Sequence, residues 1–159
     1  MPPPAILIRE AHLPEDRAAL LDVIHEYLAW LDMDLSYRDL DGEMARFDDL
    51  FTVPSGLFFL AEVDGRVAGC AGLLRHPGAR AEVKRLYVRP PFRGLALGER
   101  LISAIIAKAR GLGFAALILD AVPQTRFAMR LYDRMGFAPG EPFYPDPVPG
   151  TRFYTMQLD

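Results

Sequence analysis

The sequence predicts an α/β fold on one mixed sheet, mostly antiparallel with a single parallel pair and flanked by about four helices. Three observations carry this reading. Asp64-Gly65 stands between the apolar-rich runs 57–63 and 66–74, the signature of a two-residue β-hairpin. The strand-like run 82–88 is followed by a helical segment and then by the short continuous apolar run 115–119, which reads as a buried strand parallel to the first. Residues 151–158 alternate and return antiparallel as a last strand.

Composition sets the frame. With 159 residues, 51% hydrophobic and 25% charged, the chain is expected to be one soluble globular domain over 1–159, long enough to bury roughly 70% of its unfolded surface. The lone cysteine, Cys70, has no internal disulfide partner and reads as a small buried strand residue. No basic start precedes an apolar run, and no apolar run reaches membrane-span length. A cytoplasmic protein with no membrane partner is therefore expected. Residues 1–64 carry fourteen acids against four bases, and residues 65–159 carry seven against fourteen. The overall net charge of −3 does not suggest nucleic-acid binding, whereas the asymmetry suits a polyanion on the later half and a cation near the earlier one.

Taken in order, residues 5–10 form a first strand after a proline-rich lead. Pro14-Glu15-Asp16 opens a helix that runs to about Trp30 or Asp32 and buries Leu20, Ile24, Tyr27, Leu28 and Leu31. A loop over 33–39 leads to a short helix over about 41–50 that turns Met44, Phe47 and Phe51 inward, and Pro54-Ser55-Gly56 breaks it. After the hairpin, His76-Pro77-Gly78 turns the chain into the strand 82–88. Pro90 and Pro91 end that strand, since neither donates to a ladder. A helix over about 98–112 aligns Leu101, Ile102, Ile105, Ile106 and Ala109 and stops at Gly111 and Gly113. Beyond the strand 115–119, a helix over about 125–135 closes at Gly136. Phe137 begins another strand, and residues 140–150 form a proline-rich loop.

The loop Arg93-Gly94-Leu95-Ala96-Leu97-Gly98 opens the helix at 98. The first amides of a helix lack intrahelical partners, and its dipole adds partial positive charge, so small residues there make a place for phosphate. No Gly-Lys-Ser/Thr and no G-x-G-x-x-G is present to suggest another nucleotide loop.

This segment resembles the acyl-CoA motif of the GNAT-type N-acetyltransferase superfamily, Arg/Gln-x-x-Gly-x-Gly/Ala. Arg93, Ala96 and Gly98 hold its three marked positions, with alanine at 96 where the family usually has glycine. Residues 130–137, Arg-Leu-Tyr-Asp-Arg-Met-Gly-Phe, are similar to the family's Leu-Tyr-x-x-x-Gly-Phe. The resemblance implies a GNAT-like sheet whose fourth and fifth strands splay around the acetyl-pantetheine arm of acetyl-CoA, the expected co-substrate. It implies pantetheine contacts along Leu86, Tyr87 and Val88, and pyrophosphate contacts from Arg93, Gly94, Leu95, Ala96, Leu97, Gly98 and Glu99. Thr125, where the family often has asparagine, and Ala128 complete the implied cofactor set.

The implied reaction is attack of an amine on the thioester, which needs a neutral amine, a stabilised oxyanion and a protonated thiolate. Glu82 matches a position where some members carry a general-base glutamate. An ordinary carboxylate near pKa 4.3 and an ammonium near 10.4 differ by about 6 units, roughly 8 kcal/mol, so direct proton removal is unfavourable. Burial, a water relay, an orienting role and a plain ion pair with Arg80, Lys84 or another base all stand as readings of Glu82. Tyr132 matches the family's tyrosine beside the leaving sulfur. A phenol near 10 and a thiol near 8.5 differ by roughly 2 kcal/mol, within reach of a general acid. The oxyanion donor implied by the family is a backbone N–H near Val88. The histidines His12, His25 and His76 have no metal-ligand spacing, and no metal is expected. Tyr27 and Tyr144 are the expected acceptor-side residues, with Trp30, Tyr37 and Tyr154 as further aromatic candidates. Asp32, Asp34, Asp39 and Asp41 make a cationic acceptor plausible. The expected partner is a small-molecule or peptide amine acceptor, the expected assembly is a monomer or homodimer, and the alternative is a non-catalytic acyl-CoA-binding module on the same fold.

Overall fold

Asp64 and Gly65 both take positive φ, 51° and 79°, and turn β2 (Gly56–Val63) back into β3 (Arg66–His76) as a tight hairpin. A computed structural model describes residues 2–33, 40–145 and 147–159. The expectations for Asp34, Tyr37 and Asp39 lie outside these described residues. The remaining strands are β1 (Ile6–Glu10), β4 (Arg80–Val88), β5 (Ala116–Ala121), β6 (Ala138–Pro139) and β7 (Arg152–Gln157), and the sheet order is β1-β2-β3-β4-β5-β7-β6. Every neighbouring pair is antiparallel except β4 and β5.

The helices are α1 (Arg17–Leu31), α2 (Leu40–Ala45), α3 (Phe47–Leu50), α4 (Leu97–Gly111) and α5 (Arg126–Met135). The single helix expected over 41–50 is two short ones, because Arg46 leaves helical geometry at φ −115°, ψ 24° between them. Single 3₁₀ turns, Pro90–Phe92 and Pro123–Thr125, sit where prolines supply a fixed φ without an N–H.

Two cores form, one on each face of the sheet. Leu101, Ile102, Ile105 and Ala109 of α4 pack with Leu131 of α5 on Leu73, Val83 and Leu117 of the strands. Leu20, Val23, Ile24 and Leu31 of α1 pack with Phe47, Phe51 and Phe58 on the other face. The i, i+3, i+4 spacing in α1 and α4 puts these residues on one stripe of each helix, which is why both helices lie flat on the sheet.

Two irregularities shape the middle of the sheet. β4 and β5 pair only at Arg80↔Ala116, Ala81↔Leu117 and Glu82↔Ile118, and past Glu82 they part. β4 also carries a bulge. Cys70 faces Tyr87 and Gly72 faces Lys84, so Arg85 and Leu86 together oppose Ala71. Arg85 takes φ 57° there, a conformation that costs a non-glycine residue on the order of 1–2 kcal/mol. The Cys70 thiol meets the Arg85 carbonyl at 3.3 Å across the bulge.

Candidate active site at the fork between β4 and β5

The fork opens a channel through the sheet. Its walls carry a cavity of about 260 Å³ that reaches Leu86, Tyr87 and Val88 on β4 and Thr125 and Ala128 at the start of α5. An adjoining cavity of about 250 Å³ reaches Gly94, Ala96, Leu97 and Glu99 at the start of α4. Val88, Arg93, Gly98 and Phe127 line both, so the two cavities share a wall. Leu95 instead turns partly inward and packs against the α4-side core.

The α4 end of the channel suits an anion. The Arg100 amide bonds the Ala96 carbonyl at 3.1 Å, which leaves the amides of Leu97, Gly98 and Glu99 ahead of the first helical bond. Gly94 has φ 92°, with nothing within 4 Å of a Cβ built on it. Ala96 is the N-cap and takes φ 57°, ψ 30°, the left-handed region. Gly98 is buried, and a Cβ there would come within 3.3 Å of Leu131. Arg93 anchors the loop by donating Nε–H to the Val88 carbonyl at 3.1 Å, with its guanidinium 5.8 Å from the Tyr87 ring centre. Open amides, a helix N-terminus and an arginine are a donor set that fits a pyrophosphate.

The opposite end of the channel lies under α1. Tyr27, Trp30 and Tyr87 make a ring cluster, with centroids 5.3 Å apart for Tyr27–Tyr87 and 6.2 Å for Trp30–Tyr87. Gln124 ties this end together by donating to the Leu31 carbonyl at 3.1 Å. The Thr125 hydroxyl donates to the Val122 carbonyl at 2.7 Å and stiffens the entry to α5. Burial first, and then a hydrogen bond to Glu26, push the Tyr87 phenol above its ordinary value, so it stays neutral.

Glu82 occupies the last rung before the strands part, and it is 2% exposed. His76 Nε2 lies 2.9 Å from its Oε1, and the Tyr144 hydroxyl lies 2.8 Å from Oε1 and 2.9 Å from Oε2. Burial alone would raise the Glu82 pKa, but the bond from His76, the charge of Lys84 and the bond from Tyr144 together outweigh it and hold the carboxyl below its ordinary value. Neither Arg80 nor Lys84 bonds Glu82 directly. Arg80 Nε donates to the Pro77 carbonyl at 3.2 Å, and Lys84 Nζ pairs with Glu43 of α2. Arg85 Nη2 reaches the same Glu43 at 2.6 Å, so two buried cations share one buried carboxylate.

Tyr132 lies one turn beyond Ala128 on the same stripe of α5. It is 5% exposed and packs against the Phe137 and Tyr154 rings, with centroids at 5.5 and 5.7 Å. Its ring is therefore set behind the channel wall rather than on it. Asp32 closes α1 in a left-handed conformation, with its amide on the Leu28 carbonyl, and Asp41 lies in the first turn of α2. Cys70 is fully buried, and burial pushes its thiol up to about 12, which removes it as a nucleophile.

Glu82 and Tyr144 stand out in the sequence separately, and only the structure joins them, with His76 as their partner. A signal existed: in the hairpin register Glu82 faces Leu74, and His76 is two residues beyond Leu74 on the same face, a diagonal neighbour. The Glu43–Lys84–Arg85 cluster left no such trace, because it depends on how α2 docks.

Comparison with known proteins agrees with this geometry. The model of the acetyltransferase (GNAT) family matches residues 24–137. An uncharacterised N-acetyltransferase of Schizosaccharomyces pombe is 34% identical over 161 residues, covering 99% of this chain and 98% of the relative. A GNAT-family acetyltransferase from Staphylococcus aureus has the same fold at TM-score 0.79 and 20% identity, covering 98% of this chain and all of that one. A GNAT-family acetyltransferase from Elizabethkingia anophelis, solved with acetyl-CoA bound, has TM-score 0.67 at 21% identity, over 96% of this chain and 98% of that one.

Proposed function

The chain belongs to the acetyltransferase (GNAT) family, an acetyl-CoA-dependent enzyme family, and from that premise we propose that it transfers the acetyl group to a primary amine of a small molecule or peptide by direct attack. The observation that carries this reading is the channel itself. It runs from a phosphate cradle at the start of α4, through the gap between β4 and β5, to a wall of aromatic rings under α1. A donor held by its pyrophosphate at one end presents its thioester toward the other, where an acceptor enters.

The roles follow from position. Arg93 and the amides of Leu97, Gly98 and Glu99 hold the pyrophosphate. The edge of β4 beyond Glu82, unpaired with β5, offers the backbone of Leu86 to Val88 to the pantetheine amides and an N–H near Val88 to the oxyanion. Thr125 and Ala128 bound the arm from α5. Tyr132 is assigned as proton donor to the leaving thiolate on its match to the family's Leu-Tyr-x-x-x-Gly-Phe, its ring reaching the channel from behind the wall. Tyr27 on α1 and Tyr144 on the loop before β7 bound the acceptor. The whole chain acts as one catalytic domain.

Thiol release from acetyl-CoA against pools of polyamines, amino acids, aminoglycosides and short peptides tests the reading. Amine-dependent release in one pool is the expected outcome. No release in any pool, with acetyl-CoA still raising the melting temperature, would replace the enzyme by an acyl-CoA-binding module.

A further inference from the structure

We propose that His76 is the group that takes the surplus proton from the acceptor ammonium, and that Glu82 is the buried carboxylate positioning its imidazole rather than the base itself. The proposal rests on the transferase reading above and assigns its proton route.

Glu82 is poorly placed to be a base. Its Oε1 already meets His76 Nε2 and the Tyr144 hydroxyl, and its Oε2 meets the same hydroxyl, all within 2.9 Å. Donors aimed at a carboxylate favour its charged form, so each of these bonds makes Glu82 a weaker proton acceptor. Its 2% exposure also leaves no open route for a proton to solvent except through a partner.

His76 offers that route. Its side chain is 20% exposed, against 2% for Glu82, so the pair runs from the buried end of the fork to water. Nε2 is committed to Glu82, and Nδ1 has no partner among the described residues. The ring is held in place from outside as well. Phe143 meets it edge-on at 5.7 Å and in turn meets Phe153 edge-on at 5.3 Å. A base fixed by a neighbouring carboxylate is the arrangement that enzymes use to activate nucleophiles.

The charges around the ring are compatible with a proton arriving on it. From β4, Glu82 touches it directly, Lys84 acts on Glu82 through space, and Arg80, its partner across the ladder, is turned to Pro77. From the loop before β7, the Tyr144 phenol and the uncharged Phe143 face the pair. From α2, Glu43 is matched by Lys84 and Arg85. Among the described residues two carboxylates and two cations balance, and no cation contacts the ring.

The step balances. One ammonium N–H bond breaks, its proton passes along bound water to His76 Nδ1, and the freed lone pair forms the bond to the thioester carbon. The C–S bond then breaks. The proton shed by the nitrogen as it becomes an amide equals the one taken up by the thiolate. The first proton leaves from His76 to solvent, one per turnover.

The test uses the most active amine from the thiol-release pools and follows kcat/KM with pH in wild type, His76→Gln, His76→Asn and Glu82→Gln. Both His76 variants should lose about 100-fold or more in kcat. They should also lose the acidic limb of the profile while binding acetyl-CoA within about twofold of wild type, read from the emission of Trp30, the only tryptophan. Glu82→Gln should keep the acidic limb and lower kcat by less than either His76 variant, because it removes the group that orients the imidazole and leaves the base in place. A normal limb and rate in a folded His76 variant would overturn the proposal. So would a limb abolished by Glu82→Gln alone, which would make Glu82 the base. If no amine is turned over, the transferase reading fails by itself. The ring 15N spectrum of His76, recorded without acceptor in wild type and Glu82→Gln, then decides the pairing, and an Nε2 signal unchanged between the two overturns it.

Discussion

Ala96 puts a methyl group on a left-handed backbone at the N-cap of α4. Its φ of 57° is a conformation glycine adopts at little cost, and alanine there carries strain on the order of 1 kcal/mol. Ala96→Gly should therefore leave folding stability unchanged or raise it by up to about 1 kcal/mol, read as the urea midpoint, with acetyl-CoA binding equal or tighter. A marked loss of binding would mean that the methyl contributes to the cradle. Tyr132 poses a different question, since its ring packs behind the channel wall. Tyr132→Phe keeps that packing and removes only the hydroxyl. It should lower kcat by about 10-fold or more with acetyl-CoA affinity unchanged, as a proton donor to the thiolate requires. Unaltered turnover would take Tyr132 out of the chemistry.

At the scale of elements, Asp16 joins the first strand to the first helix. Arg9 of β1 grips its carboxylate at 2.8 and 3.0 Å, and the His12 amide adds a bond at 2.8 Å. The Arg9 bonds, and then the His12 amide, lower its pKa to about 2. A depressed folded-state pKa stabilises the fold above the unfolded value near 4, and the gain is lost as pH falls toward 2. Asp16→Asn should cost about 1 kcal/mol at pH 7, discounted for the partly exposed pair. The gap from wild type should close between pH 4 and 2 in urea titrations, and a gap independent of pH would mean that the carboxylate charge is not the source. Gly72 on β3 sets another constraint between elements. A Cβ there would come within 2.7 Å of the Phe58 ring on β2. Gly72→Ala should destabilise by roughly 1–3 kcal/mol, and thermal unfolding at an unchanged midpoint would show that the ring moves aside freely.

At the scale of the whole molecule, the sheet separates two tasks. The α4 and α5 face carries the open amides at the start of α4, the α1 and α2 face carries the buried charges and the aromatic rings, and the fork past Glu82 lies between them. Much of this was legible in the chain. Asp64-Gly65 announced its hairpin, the prolines at 90 and 91 marked the end of β4, and Leu101, Ile102 and Ile105 declared the buried stripe of α4, because each signal acts over a few residues. The bulge at Arg85 was not legible, since nothing in Lys84-Arg85-Leu86 demands a positive φ until β3 fixes the register on one side. The apolar spacing over 41–50 is helical throughout and predicts one continuous helix, and the break at Arg46 is a backbone matter that this spacing does not encode.

By itself, the sequence determined most of the elements, their order, the loop 93–98 that opens α4 and the resemblance to the family, all of which depend on local periodicity, turn chemistry and short motifs. Tertiary structure alone decided which side chains meet at the fork. His76 and Glu82 are six positions apart and Tyr144 is sixty-two beyond Glu82, and they converge only because the β3–β4 register and the docking of the loop before β7 remove all three from water together. Burial then leaves each of these polar groups dependent on the others for its hydrogen bonds, and no local pattern in the chain encodes that dependence.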